Sequence, residues 1–346
     1  MSILAIPKEL QVYIIGLLPV RERLRLSETC HGLRDLVQDP SLWKKLVLRS
    51  DMTKNKTKAC RDHVARCSNL RELIIIYSSY RFRSDHIMSV VMKAKKTLTA
   101  LVIDRLELSN SAFKQISKLT QLTELDFNAN RIKSDGFSSL ANLPKLRSLK
   151  ISNLHDWYYG HITSKDIVEV FSTLKQLEDV EMVSSLYHLK DEVIESLVKN
   201  NPRIRLLKIN IPSYQDSKLS RKSLNFIAEN CPQLTHIDIG GHYVFEDADI
   251  IDLISKCPKL KHANFETTQI EDSALARLAF GCPDLEQLYL SDCVYITGQG
   301  VEVFLETASQ AKLKHLDIRY CWFSRQFVER LIEDHPKIHI VNDYYE

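Results

Sequence analysis

Glycine and proline are scarce in this sequence, with 9 and 10 residues in a chain of 346. So few residues of either type exclude long flexible or proline-rich linkers between domains. No run of about 18 apolar residues occurs, and this excludes a membrane-spanning helix of ordinary length. The first residues have no basic lead and only a short apolar stretch before Pro7, so we expect no signal peptide.

Eight cysteines are spread from Cys30 to Cys321 without the tight spacing of a disulfide framework. We therefore expect reduced thiols and a cytoplasmic or nuclear location. Cys60, His63 and Cys67 have a spacing that faintly resembles a metal cluster, but no fourth ligand is near in sequence. The same spacing fits one buried face of a helix, so we predict neither a metal nor a cofactor.

Signals of catalysis or of nucleic-acid binding are also weak. The sequence has no phosphate-binding glycine loop and no nucleophile elbow. The net charge of +3 does not indicate a nucleic-acid-binding protein. The charge is uneven, because residues 1–106 carry 20 basic and 10 acidic side chains, whereas residues 107–346 carry 27 and 34. This asymmetry predicts that the two ends of the chain have different partners.

One pattern, apolar–x–x–apolar–x–apolar, recurs from residue 70 onward. Its copies begin 24 to 31 residues apart, which is close to the period of leucine-rich repeats. The first apolar residues of the copies are Leu70, Leu98, Leu122, Leu146, Leu177, Ile204, Leu234, Leu260, Leu285 and Leu313, and Ile338 begins a degenerate last copy.

The alternating core of each copy predicts a short strand with one buried face, and the stretches between copies have helical periodicity. One strand and one helix cannot bury their own apolar face, so copies must stack. We predict an α/β fold in which ten or eleven repeats form a curved solenoid over residues 49–346. A parallel sheet lines its concave side, and helices lie on its convex side. The copies that contain Cys293 and Cys321 resemble the cysteine-containing subclass of leucine-rich repeats.

Residues 6–43 do not follow the repeat. Their spacing predicts a helix from Lys8 to Leu18, a second apolar segment from Leu24 to Val37, and a third element that begins at Leu42 and Trp43. The segment resembles the F-box motif. The residues that carry the resemblance are Ile6-Pro7, Glu9-Leu10, Ile14-Ile15, Leu18, Leu24, Cys30 and Asp39-Pro40-Ser41-Leu42-Trp43.

The resemblance predicts a three-helix F-box bundle over residues 4–48. Two positions depart from the family pattern. Arg23 stands where an acidic residue is common, and Leu33 stands where a tryptophan is common. The missing tryptophan would thin the small core.

An F-box implies binding to a Skp-family adaptor, and through the adaptor to cullin and RING subunits. A bundle this small cannot bury all its leucines, and the remaining apolar patch is an interface for partner helices. The expected adaptor-binding residues are Pro7, Leu10, Ile14, Leu17, Leu24, Leu42 and Trp43. The alternative interpretation is that these residues only cap the open end of the solenoid.

Strand positions between the repeat leucines face the concave surface, and equivalent positions form ladders because neighbouring strands lie about 4.8 Å apart. A histidine ladder beside an acidic one predicts a substrate-binding face. Its candidate residues are His236, Asp238, His262, Asn264, Glu266, Gln287, Tyr289, His315, Asp317 and Arg319. The alternative is an ordinary solvated polar face. Trp157 and Tyr158, in an insertion, form either a second binding hot spot or a plug on the solenoid edge.

The resemblance therefore predicts a non-catalytic substrate receptor of a Skp–cullin–F-box ubiquitin ligase, which holds a target protein for ubiquitination and proteasomal degradation. The acidic later repeats favour a protein substrate with a basic element. The alternatives are a repeat scaffold or inhibitor that acts outside a ligase, and an enzyme that uses a cysteine or histidine of the solenoid.

Overall fold

The computed structural model describes residues 5–50, 69–77, 84–104, 106, 108–128, 134–152, 162–183, 189–212, 217–307 and 312–344. The chain divides into two compact units, Met1–Leu146 and Arg147–Glu346. Within the described residues, every helix is too short or too polar to cross a membrane.

The first unit begins with three short helices, α1 (Lys8–Gly16), α2 (Val20–Ser27) and α3 (His31–Val37), and one turn of 3-10 helix, Pro40–Trp43. The helix predicted to reach Leu18 ends at Gly16, shortly before Pro19. The second predicted apolar segment is two helices, because Cys30 has an extended backbone with φ of −156°. The expected three-helix bundle is therefore confirmed, with shorter elements.

Four strands follow in the first unit: β1 (Lys45–Ser50), β2 (Glu72–Tyr77), β3 (Ala100–Asp104) and β4 (Glu124–Asn128). They pair in parallel in the order of the chain. Its described residues also form helices α4 (Ser84–Val91), α5 (Asn110–Ile116) and α6 (Ser134–Ser138), and the 3-10 helices Met92–Ala94 and Ser139–Asn142.

Strand β1 was not expected, because its residues had been assigned to the end of the F-box. Leu46 and Leu48 are buried beside Leu73 and Ile75 of β2, so the sheet begins before the first recognised repeat. The domain boundary predicted at residue 48 falls inside this strand.

The second unit has eight further strands: β5 (Ser148–Ser152), β6 (Asp179–Val183), β7 (Leu206–Lys208), β8 (His236–Asp238), β9 (His262–Asn264), β10 (Gln287–Tyr289), β11 (His315–Asp317) and β12 (His339–Val341). Each pairs in parallel with the next.

A helix follows each of the first seven of these strands. The helices are α7 (Ser164–Thr173), α8 (Asp191–Asn200), α9 (Arg221–Asn230), α10 (Asp247–Lys256), α11 (Asp272–Gly281), α12 (Gly298–Glu306) and α13 (Arg325–Asp334). The predicted α/β fold of strand–helix repeats with a parallel sheet is confirmed.

The core lies between the strands and the helices of each repeat. The apolar positions of the repeat pattern are buried, for example Leu285, Leu288 and Leu290, none of which is exposed to solvent. Each strand starts two residues after the first apolar position. In the last copy, β12 starts only one residue after Ile338, because His339 pairs with His315.

Cysteines occupy the corners where helices end. Cys231, Cys257 and Cys282 follow α9, α10 and α11 and are fully buried. The Cys257 thiol donates to the carbonyl of Cys231 at 3.5 Å, so the corners stack on one another. A small apolar side chain fits such a corner, because a proline turns the chain immediately afterwards.

A turn in the left-handed region ends four consecutive strands of the second unit. The residues are Gly241, Thr267, Asp292 and Tyr320, with φ between 56° and 84°. The amides of Gly241, Thr267 and Asp292 each donate to a carbonyl of the following repeat. These bonds extend the ladder beyond the short strands and hold the loops in register.

Candidate functional site

Helix α1 carries an exposed apolar stripe. Leu10, Tyr13, Ile14 and Leu17 recur at the spacing of one helix face, and Leu17 is 69% exposed. Only Gln11 and Ile15 of α1 are buried. Apolar side chains in a row on a single face are typical of a protein interface. We call these four residues the α1 stripe. Tyr13 was missed from the sequence, although its helical spacing would have identified it.

The four other predicted adaptor-binding residues have different surroundings. Leu42 and Trp43 are buried, and the indole Nε1 of Trp43 donates to the carbonyl of Val37 at 2.6 Å. The 3-10 turn directs both side chains into the small core, and their contact with an adaptor stays a prediction. Pro7 is exposed at the start of α1. Leu24 lies on α2, and its side chain is outside the described part of the structure.

Arg23 has a structural role that its departure from the family pattern did not suggest. Its guanidinium donates to the carbonyls of Gly16, Leu18 and Leu42 at 2.6 to 2.7 Å. It also lies over the ring of Trp43, 5.8 Å from the ring centroid. Arg23 thus satisfies carbonyl groups at the end of α1 that have no partner within the helix.

The predicted histidine ladder is present on the sheet of the second unit. Parallel pairing aligns His236, His262, Gln287, His315 and His339. His339 was not among the predicted site residues, because the last copy is one residue shorter than the pattern requires.

The aromatic ring of Tyr289 reaches from the neighbouring position into this ladder. Ring centroids are separated by 5.7 Å between His236 and His262, and by 5.0 Å between His262 and Tyr289. They are 4.8 Å apart between Tyr289 and His315, and 5.1 Å between His315 and His339. We call this continuous row of five rings the ring row. Gln287 forms a hydrogen bond with one member of the row, since its Oε1 lies 2.9 Å from His262 Nδ1.

Three predicted residues, Asp238, Asn264 and Glu266, come together around Gly240, and we call this cluster the notch. A Cβ atom built on Gly240 would lie 3.2 Å from Asn264 Nδ2, 3.4 Å from Asp238 Oδ1 and 3.4 Å from Glu266 Cβ. The carboxylate of Asp238 is 8% exposed and accepts a hydrogen bond from the Gly240 amide at 3.2 Å. Burial raises the pKa of Asp238 to about 6.

The other charges near the notch include two acids, Glu266 and Asp317, and two basic residues, Arg319 and Lys208. Asp317 is buried and accepts hydrogen bonds from the Arg319 guanidinium, from Nε to Oδ1 at 3.0 Å and from Nη2 to Oδ2 at 2.6 Å. Burial, and then repulsion from Asp317, raises the pKa of Glu266. Burial also lowers the pKa of His236, His262 and His315. At neutral pH, the face therefore carries neutral imidazoles beside carboxylates that are partly desolvated.

Two sequence predictions concern residues outside the described part of the chain. Trp157 and Tyr158 lie there, as do Cys60, His63 and Cys67. Among the described residues, no three histidine, cysteine or acidic side chains are arranged so that they could hold a metal ion.

Comparison with known families identifies the first segment. Residues 3–49, which include α1 to α3 and the start of β1, match the F-box-like family model. The chain carries an F-box-like domain at its N-terminus. The α1 stripe and the Arg23 contacts belong to this domain.

Several curated relatives also carry F-box names. F-box/LRR-repeat protein 4 of Bos taurus is 29% identical over 181 residues, which cover 51% of this chain and 27% of that protein. F-box protein SKIP17 of Arabidopsis thaliana is 26% identical over 183 residues, which cover 50% of this chain and 36% of that protein. The chain thus spans about a quarter to a third of the length of these two relatives.

A longer match is Putative F-box protein At4g05475 of Arabidopsis thaliana, 24% identical over 243 residues, with 68% of this chain and 70% of that protein covered. The fold is similar to a chain in the crystal structure of the yeast Rad7 and Elc1 complex, with a TM-score of 0.56 and 16% identity. That similarity covers 93% of this chain and 88% of the other. The resemblance to F-box proteins with leucine-rich repeats is confirmed.

Proposed function

We propose that this protein is the substrate-recognition subunit of a Skp–cullin–F-box type ubiquitin ligase. The F-box-like domain binds a Skp-family adaptor, which connects the chain to cullin and RING subunits. The repeats hold a target protein, which is ubiquitinated and then degraded by the proteasome. The chain is a non-catalytic receptor that acts in the cytoplasm or the nucleus.

The observation that carries this proposal is the α1 stripe within the F-box-like domain. Leu10, Ile14 and Leu17 are each exposed by 40% or more, in a segment whose core is already filled by Ile15, Leu36, Val37, Leu42 and Trp43. Burying an exposed leucine against a partner stabilises a complex by about 1.5 to 3 kcal/mol before association costs are counted. The exposed stripe is thus the surface that we expect to contact the adaptor directly. Leu42 and Trp43 belong to the core of the domain on which the stripe lies.

The receptor contributes to ubiquitin transfer by proximity. When one chain binds both the ligase and the target, lysines of the target meet the ubiquitin-loaded enzyme at a high effective concentration. No group of the receptor needs to react. Its two binding surfaces determine which protein is modified.

We place the substrate on the ring row and the adjacent notch. The row offers aromatic and imidazole surface, and Asp238 and Glu266 provide negative charge beside it. Because burial makes these carboxylates costly to ionise, a cation that approaches them is favoured. A substrate with a basic element fits this face.

The adaptor contact is tested by the double variant Leu10→Asp plus Leu17→Asp. Both side chains are exposed by more than half, so charging them leaves the core in place. Phe280→Asp, at a 74% exposed position on α11, is the matched control. Co-purification with a Skp-family adaptor should fall about ten-fold or more for the double variant and stay unchanged for the control. Equal recovery of the adaptor by both variants would contradict the assignment.

The ligase role requires a second measurement. The wild type and the double variant are each affinity-purified from cells in which the proteasome is inhibited. Substrates should be held by both forms and should accumulate ubiquitin only with the wild type. Recovery of adaptor without cullin would place the protein outside a ligase. Bound proteins whose ubiquitination does not depend on the α1 stripe would favour the alternative function, a repeat scaffold or inhibitor.

The substrate face is tested in the same purification with His262→Ala and Tyr289→Ala. We expect both variants to keep the adaptor and to lose the ubiquitinated targets. Retention of the targets by both variants would show that the substrate does not bind at the ring row.

A further inference from the structure

A second surface of the later repeats lies on the loops that follow the strands. Its members are exposed aromatic side chains on the loops after β8, β10, β11 and β12, and we call them the loop edge: Tyr243, Tyr295, Tyr320, Trp322 and Tyr344. Trp322 is 89% exposed, although tryptophan is highly buried on average in folded proteins. Exposed aromatic residues at one edge indicate an interaction surface.

The first part of the loop edge is held together by direct contacts. The hydroxyl groups of Tyr243 and Tyr295 lie 2.8 Å apart, although the residues belong to repeats that are not adjacent. Gln269, from the repeat between them, donates through Nε2 to the carbonyl of Tyr243 at 2.7 Å. Three repeats thus contribute to one continuous surface.

The second part is also fixed in place. The amide of Tyr320 donates to Asp343 Oδ2 at 2.8 Å, and the hydroxyl of Tyr344 donates to the carbonyl of Phe323 at 2.8 Å. Trp322 stands seven residues after the start of β11, as Val294 does after β10. Val294 is also exposed, and it adds an apolar side chain to the loop after β10. A surface that is ordered beforehand loses little entropy on binding.

Acidic side chains lie on two of these loops and on the loop after β9. Glu266, Asp292 and Asp343 come from three of the last four repeats, and in the described part of those repeats none of them forms a salt bridge. Asp292 accepts from Thr267 Oγ1 at 3.5 Å, and its amide donates to the carbonyl of Arg319 at 2.8 Å. The guanidinium of Arg319 is occupied by Asp317. The charge of the loop edge is therefore negative.

We propose that the loop edge is a docking surface for a substrate segment in which lysine or arginine residues alternate with apolar or aromatic residues. The apolar residues pack on Trp322 and the tyrosines, and the basic residues pair with Glu266, Asp292 and Asp343. This inference rests on the proposed function, because it names the chemistry of the protein that the repeats hold. It adds a second contact region to the ring row.

The combination of aromatic and acidic groups favours this occupant over two others. A membrane surface carries negative charge, which three unpaired carboxylates would repel. A second copy of the chain would bring the same acids against one another in a symmetric interface. A basic segment relieves the repulsion and gains cation–π contacts with Trp322.

The test begins with random peptides displayed on phage, selected on the immobilised full chain. The selected consensus is then made as a fluorescent peptide and titrated against four full-chain forms. These are the wild type, Trp322→Ala, Asp292→Asn and the control Phe280→Ala. Asparagine tolerates the left-handed backbone of position 292, so that variant changes the charge without straining the turn. Phe280 lies near the end of α11, away from the loops that follow the strands.

We expect the consensus to contain lysine or arginine beside apolar residues. Its affinity should fall about ten-fold or more for Trp322→Ala. The affinity should fall less for Asp292→Asn than for Trp322→Ala. The difference in affinity between Asp292→Asn and the wild type should become smaller as salt is raised to about 1 M, where the Debye length is about 3 Å. Phe280→Ala should bind as the wild type does.

Three results would overturn the inference: an acidic or uncharged consensus, no enrichment at all, or equal binding by Trp322→Ala and the wild type. A wild-type dimer that dissociates on Trp322→Ala would assign the surface to a second copy instead. Binding to anionic lipid vesicles that depends on Trp322 would assign it to a membrane.

Adaptor capture is measured on the same four preparations and should be equal in all. Failure of peptide binding with intact adaptor capture counts against the loop edge alone. Failure of adaptor capture by the wild type counts against the proposed function.

Discussion

The imidazole Nε2 of His242 lies 2.7 Å from the carbonyl oxygen of Ile209, across two neighbouring repeats. The other ring nitrogen, Nδ1, lies 2.8 Å from Ser217 Oγ. The side chain is 1% exposed, so both bonds are shielded from water. A neutral imidazole donates to the carbonyl and accepts from the hydroxyl, and the histidine thereby joins the two repeats.

This pairing predicts a loss of stability in mild acid. Burial lowers the pKa of His242 to about 4, whereas an unfolded histidine titrates near 6.5. The unfolded state therefore binds more protons between these values, and the free energy of unfolding falls as the pH drops through this window. The total loss is about 3 kcal/mol. Urea unfolding at several pH values gives the free energy of unfolding as a function of pH. The slope of this dependence should be smaller for His242→Gln than for the wild type. The exposed His31→Gln is the control, and an identical slope for His242→Gln would contradict the prediction.

The adjacent Gly241 cannot accept a side chain. Its φ is 84°, and a Cβ atom would lie 2.0 Å from the carbonyl oxygen of Ile211. We expect Gly241→Ala to lower the free energy of unfolding by about 3 kcal/mol, since left-handed strain and a backbone clash act together. Gly240→Ala is the control, because its nearest neighbours are side-chain atoms at 3.2 Å or more. Thermal unfolding of both variants checks this, and equal melting temperatures would be the contrary result.

Arg23 provides a test of the F-box-like domain. Its three bonds to backbone carbonyls need the planar fork of a guanidinium, which lysine lacks. We expect Arg23→Lys to cost about 2 kcal/mol of stability in residues 8–43, because at least one partly buried carbonyl loses its donor. Hydrogen exchange in α1 to α3 measures this directly. Arg25→Lys should change exchange little, because Arg25 forms an exposed pair with Glu22.

The contribution of Asp238 to the free energy of unfolding should change with pH in the opposite direction from that of His242. Its pKa is raised to about 6, so the folded state favours the protonated form. The stability that protonation brings is complete below about pH 4 and is lost as the pH rises through 6. Asp238→Asn should therefore stabilise the chain by about 1 to 3 kcal/mol at pH 7.5 and have no effect at pH 4. It should also weaken capture of a basic substrate.

The control for this prediction is Asp317→Asn. Asp317 is paired with Arg319, so the substitution removes the ion pair and the oxygen that accepts from Arg319 Nη2, and it should destabilise the chain at pH 7.5. Urea unfolding of the two variants at both pH values separates the cases. Destabilisation by Asp238→Asn at pH 7.5 would contradict the prediction, because it would mean that the ionised carboxylate of Asp238 stabilises the folded state.

The repeat architecture was predictable because the same leucine positions are buried in every copy. Once Leu285, Leu288 and Leu290 are recognised as one unit, the strand, the corner and the helix follow from their spacing. Strand β1 was not predictable in this way. Leu46 and Leu48 alternate as in a strand, but they also fit the end of a helical bundle, and only pairing with β2 decides between the two.

The surfaces were harder to predict than the core. Helical spacing placed Leu10, Ile14 and Leu17 on one face, but spacing alone could not show that Trp43 points inward to Val37. The ring row depends on the length of the Tyr289 side chain, which crosses from one ladder position to the next. The loop edge has no periodic signal, because its turns use tyrosine and aspartate where glycine would be expected.

The buried cysteines give four of the later repeats a chemical reporter each. Burial raises the pKa of Cys231, Cys257, Cys282 and Cys321 to about 12, so almost no thiolate exists in the closed state. An alkylating reagent can react only after the surrounding repeat has opened. The labelling rates of these four thiols would therefore rank the repeats by their opening free energies, without any engineered probe.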